Sequence, residues 1–141
     1  MKKLFLTILL IGSSLALFSQ NRIMTISNGL AKVGQSKIQI TTFLKNKGFK
    51  LVSSDNDCSS YSLLNNGVRR TIMVCYKNSK VSAIAWNEDK EFMNLAMPEI
   101  QAERFSLKTD DPYYVFVNPT TKRQLSLMNR FNDVFISIGT L

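Results

Sequence analysis

Two cysteines, Cys58 and Cys75, and no histidine set the chemistry open to this chain. Without an imidazole neither a Ser-His-Asp nor a Cys-His nucleophile can be assembled, and zinc would need an unusual ligand set. Ser-Lys and paired-carboxylate mechanisms survive in principle, but no local signature points to either. Asp55 with Asp57, and Asp110 with Asp111, offer oxygen ligands of the kind calcium takes. Neither segment has the glycine turn and distal acid of an EF-hand, so solvated turn acids are the plainer reading. The expectation is therefore no catalytic residue, no metal, no cofactor and no enzymatic activity.

What the cysteines can do is bridge. CSSYSLLNNGVRRTIMVC, from Cys58 to Cys75, reads as two strand-like runs folded about Asn66-Gly67. Those two residues tolerate the positive φ that a type I′ hairpin turn needs at both central positions. With Asn65 and Val68 flanking the turn, facing residues carry numbers that sum to 133, so Cys58 faces Cys75. Counting outward puts them in a non-hydrogen-bonded pair, where a Cα separation of ~4.5 Å suits a disulfide. The bland alternative is two reduced thiols used as small apolar fillers.

The compartment favours the bridge. Residues 1–19 carry a basic start at Lys2-Lys3, the apolar run LFLTILLIGSSLAL and small Ser19 before Gln20, the pattern of a secretory signal peptide. The run is short and Ser/Gly-interrupted for a spanning helix, which needs about 20 apolar residues, so an uncleaved N-terminal membrane anchor is the lesser alternative. Residues 20–141 then form a single α+β domain, and the formal charge of +8 falls by two with Lys2 and Lys3. A basic exported domain suits acidic envelope groups or an acidic protein better than nucleic acid, although a modest excess usually serves solubility. Periplasmic or secreted localisation follows, with no stable membrane insertion after cleavage and the oligomeric state left open.

The elements that must position these residues can be read in order. Ile23, Ile26, Leu30 and Val33 have mostly helical spacing, weakened by Gly29 and Gly34. Ser36 is an N-cap candidate for a helix over 36–47 that closes at Lys47-Gly48. Phe49 to Val52 is strand-like. In the hairpin, Tyr61, Leu63, Val68, Ile72, Val74 and Tyr76 share one face, while Met73 falls on the other. After a turn at 77–80, unbroken alternation places Val81, Ala83 and Ala85 on the buried face and Ile84 and Trp86 on the opposite one. Glu88 to Phe105 reads as an acidic amphipathic helix that should kink or divide near Met97, ahead of Pro98. Strands follow at Tyr113–Val117, Gln124–Met128 and Val134–Ile138.

The order repeats: a helix and three antiparallel strands at 36–86, and again at 88–138. The expected fold is α+β, with duplicated α-β-β-β units forming antiparallel sheet with helices on one face. With its export signal, FLKNKGFKLV helix end, NNG hairpin and second unit, the chain resembles small uncharacterised exported proteins of Gram-negative bacteria. Its layout is also similar, in topology alone, to duplicated helix-and-sheet inhibitor scaffolds such as the β-lactamase inhibitory protein. That topological likeness implies no binding residue.

The other sheet face supplies the candidate site. Met73, Ile84 and Trp86 from the first unit, with Tyr114, Phe116, Met128 and Phe135 from the second, would make an apolar recognition surface if helices cover only the opposite side. If another element folds over them they are a second core layer. Arg69-Arg70 alternates across the sheet, and with Lys77, Lys80, Lys122 and Arg123 reads first as solvated charge and second as an anion site. The leading expectation is non-enzymatic binding of an envelope or secreted protein. An envelope-ligand module for acidic glycan or lipid headgroup, or a structural envelope component, is the alternative.

Overall fold

The computed structural model describes residues 22–110 and 112–141, so the leader expected at 1–19 lies outside the described residues. Two helices, α1 (Ile26–Lys32) and α2 (Lys37–Asn46), precede four strands: β1 (Lys50–Ser54), β2 (Cys58–Asn65), β3 (Val68–Lys77) and β4 (Lys80–Asp89). A 3-10 turn at Lys90–Phe92 leads into α3 (Met93–Ala102). Four more strands follow: β5 (Ser106–Thr109), β6 (Tyr114–Asn118), β7 (Arg123–Arg130) and β8 (Asp133–Thr140). All eight form one antiparallel sheet in the order β1-β2-β3-β4-β8-β7-β6-β5.

α2 begins where its caps dictate. The Ser36 hydroxyl accepts from the Gln39 N–H while the Gln39 side chain accepts from the Ser36 N–H, a capping box that satisfies two otherwise orphaned donors. Gly48, at φ +85°, ends the helix in the left-handed conformation that glycine adopts without strain. α1 is shorter than its apolar spacing suggested, and Thr25 caps it by accepting from the Asn28 N–H.

The 58–75 hairpin has the register its turn implies. Cys58 pairs with Cys75, Tyr61 with Ile72 and Asn65 with Val68, and Asn66 and Gly67 take φ of 50° and 78°. The Tyr76 N–H donates to the Asp57 carbonyl at 2.7 Å, so the next pair inward is non-hydrogen-bonded. Cys58 and Cys75 form a disulfide there, their Cα atoms 4.0 Å apart.

One core lies between the helices and one sheet face. Ile26, Ile40, Leu44, Ala96 and Ile100 from the helices meet Ile72, Val74, Ile84, Trp86, Leu125, Leu127, Ile136 and Ile138 from the sheet. Three expectations need correction. The first concerns β4: Tyr76 pairs with Val81 but Cys75 pairs with Ala83, so Ser82 is the extra residue of a β-bulge. That one-residue slip inverts everything after it, and Val81, Ile84 and Trp86 all face the helices. The second is the acidic helix. Glu88 and Asp89 extend β4, paired with Val134 and Asp133, and α3 runs undivided past Met97 with Pro98 inside it. The third is the strand count, since α2 and α3 are each followed by four strands rather than three.

The additional strands, β1 and β5, are the sheet edges. Both are exposed along their length and both carry a bulge, between Leu51 and Ser53 and between Leu107 and Thr109. A bulged, short edge is a poor template for pairing with another chain.

Candidate functional site

The bulge at Ser82 redistributes the expected surface. Ile84 (0 % exposed), Trp86 (1 %) and Phe116 (4 %) belong to the core, so they cannot form an exposed recognition patch. Tyr114 is exposed but shares the helix-side face with its partner Leu127, at the sheet margin, where its ring lies 6.5 Å from that of Phe116. Met73, Met128 and Phe135 do lie on the opposite face, the two methionines exposed and Phe135 half-buried.

That opposite face is built from small residues at its centre. Across the strands run Ser60, Met73, Ala85, Ser137, Ser126 and Val115, in register from β2 to β6 and without a charge among them. Among the described residues, the helices pack on the other side of the sheet. Towards β7 and β8 the face dips into a hollow lined by Ala85, Tyr113, Ser126, Met128, Phe135 and Arg130. Beside it, the two-residue turn between β7 and β8 projects Phe131, which is 89 % exposed. Phe131 sits at φ +54°, a region where a bulky side chain is an outlier.

A second cluster lies on the helix side. Glu88 is fully buried, and its Oε1 accepts from the N–H groups of Ile23 at 2.9 Å and Met24 at 3.3 Å. Among the described residues its Oε2 has no partner. Burial raises the carboxyl pKa to about 7, against the opposing pull of those two N–H groups and of the Arg70 and Arg22 charges. Arg22 pairs with Glu99, and Arg70 with Asp89. Arg70 is buried while Arg69 is exposed, so the pair does alternate across the sheet.

The turn acids act on backbone. Asp55 Oδ1 accepts from the N–H groups of Cys58 at 2.6 Å and Asp57 at 2.9 Å, which holds its carboxyl below the ordinary range. Among the described residues no group of three or more acidic, cysteine or histidine side chains is placed to hold a metal ion.

Sequence reasoning missed Tyr113, Phe131 and Glu88. Side-chain volume was the available signal for β4: turning Ile84 and Trp86 inward buries far more apolar area than turning Ala83 and Ala85 inward, at ~25 cal/mol per Å². No family model, curated protein or solved structure matches the chain, so its functional reading rests on geometry.

Proposed function

We propose that the chain is an exported, periplasmic or secreted, non-enzymatic domain that binds a protein through the uncovered sheet face. The observation that carries this reading is the aromatic and methionine hollow of Tyr113, Met128 and Phe135 beside exposed Phe131. Rigid aromatics offer contact area at low rotamer cost, and methionine adapts to irregular surfaces. The central row is uncharged, which suits a polypeptide presenting small apolar and hydroxyl groups. Export is supported by the disulfide, and no described helix is long and apolar enough to cross a membrane.

Duplication of an α-plus-four-strand unit belongs to the same proposal. Gly48 and Arg104 both take positive φ after their helices, and the N–H groups of Phe49 and Phe105 donate to Leu44 and Ile100. The bulges in β1 and β5 fall at corresponding places, and the halves meet at β4 and β8 in a palindromic strand order.

The test is affinity capture from the native envelope at low and high salt, with Phe131→Ala and Ile38→Ala as bait variants. Ile38 is exposed on α2, remote from the open face. A salt-resistant partner lost with Phe131→Ala, at a cost of roughly 2 kcal/mol or more, and kept with Ile38→Ala supports the reading. Capture that is equally strong with both variants, or abolished by salt, overturns it.

A further inference from the structure

Two arginines in this fold are buried with donors left over. The side chains of Arg22 and Arg70 are 7 % and 9 % exposed. Each is paired with one carboxylate, Glu99 and Asp89 respectively, yet Arg22 Nε and Arg70 Nη1 are buried without an acceptor among the described residues. Both arginines line a hollow of about 230 Å³ between the end of α2 and the β2–β3 hairpin, with Lys47, Asn66, Phe49 and Leu63 and the Asp89 carboxylate also on its wall. A buried guanidinium N–H without an acceptor is costly, and two guanidinium side chains and an ammonium on the wall of one hollow supply charge-assisted donors for a ligand made of acceptors. Of the acidic neighbours, Glu99 and Asp89 are engaged by the arginines, whereas Glu88 is held by backbone through one oxygen and keeps its other oxygen unpartnered among the described residues.

We propose that this hollow binds a phosphate group, with the forked arginines as its inner donors and Lys47 as a flexible outer cation. The volume accommodates a phosphate and a few further atoms, so the group can come as a free ion or as the exposed monoester of a lipid headgroup. Arginine suits the inner positions because its planar fork holds two oxygens at once, whereas lysine acts as a point charge. The site lies on the helix side of the sheet and is independent of the protein-binding face, so either reading can fail alone.

Calorimetric titration of the purified protein with inorganic phosphate, against chloride at matched ionic strength, tests it directly. Saturable phosphate binding is expected, weakened roughly three- to tenfold by Lys47→Gln, whose exposed side chain can change without disturbing the core. Arg70→Lys should weaken it as well while retaining the charge, and Arg69→Gln, on the other face, should not. Co-sedimentation with phosphatidate vesicles, against phosphatidylcholine vesicles, separates the sources. Binding to free phosphate alone assigns a soluble ligand, and Lys47-dependent binding to phosphatidate vesicles assigns a headgroup. No saturable binding in either arm, or equal effects of Lys47→Gln and Arg69→Gln, overturns the proposal.

Discussion

Gly29 of α1 lies directly against the indole of Trp86. A Cβ at position 29 would stand 2.7 Å from Cη2 of Trp86 and 2.9 Å from Cδ1 of Ile138, closer than packed carbons approach. The glycine that weakens the helical pattern is thus the residue that lets α1 settle on the seam between β4 and β8. Gly29→Ala should therefore destabilise the protein by about 1–3 kcal/mol through overpacking, despite a helix-propensity gain of roughly 1 kcal/mol. Urea unfolding followed by circular dichroism measures this, and a variant as stable as the parent would show that the contact has room to give.

How much of this was legible turns on particular residues. The hairpin register was readable because Asn66-Gly67 admits one tight turn and every pair then follows by counting. The Lys77–Lys80 turn gave no such certainty: Asn78 and Ser79 take φ of 53° and 60°, but the bulge at Ser82 breaks the count two residues later. A bulge has no composition of its own, so alternation alone put Trp86 on the wrong side. Glu88 and Asp89 looked like the acidic start of a helix because the acceptors of a helix N-terminus and of a buried backbone clamp are the same residues. The N–H groups that hold Glu88 come from Ile23 and Met24, more than sixty residues away in sequence. Phe131 escaped notice because a bulky residue is the least expected occupant of a positive-φ turn.

The Cys58–Cys75 bridge closes a 17-residue separation, for which the chain-entropy account gives about 3 kcal/mol. Cys58→Ala should lower the thermal midpoint clearly more than Ser60→Ala, which removes only a hydroxyl from the open face. Differential scanning calorimetry of the two variants checks this, and non-reducing peptide mapping of the native protein should join the two cysteine peptides. Two freely alkylated thiols, or equal midpoints, would contradict it.

Glu88 makes stability depend on pH in the direction opposite to a salt-bridged acid. Its folded pKa of about 7 lies above its ordinary value of 4.5, so the folded state holds the proton more tightly than the unfolded one. Stability should be unpenalised below about pH 4.5, fall as pH rises towards 7, and level off above it, a loss on the order of 3 kcal/mol. Asp55, whose pKa is lowered, acts below that window and with the opposite sign. Urea midpoints taken between about pH 5 and pH 8 should decline for the parent and stay level for Glu88→Gln. Parallel slopes for the two would remove Glu88 as the cause.

The uncovered sheet face carries its own reporters, because Met73 and Met128 are exposed on it while Trp86 is buried beneath it. Hydroxyl-radical footprinting with mass spectrometry, run on the free protein and on its complex with the captured partner, reads all three at once. In the free protein the two methionines and Phe131 should oxidise readily and Trp86 hardly at all. In the complex, protection should concentrate on Met128 and Phe131, extend to Met73, and leave exposed Ile38 on α2 unchanged. Protection confined to the helical side, or oxidation of Met128 and Phe131 undiminished by a bound partner, would contradict recognition through this face.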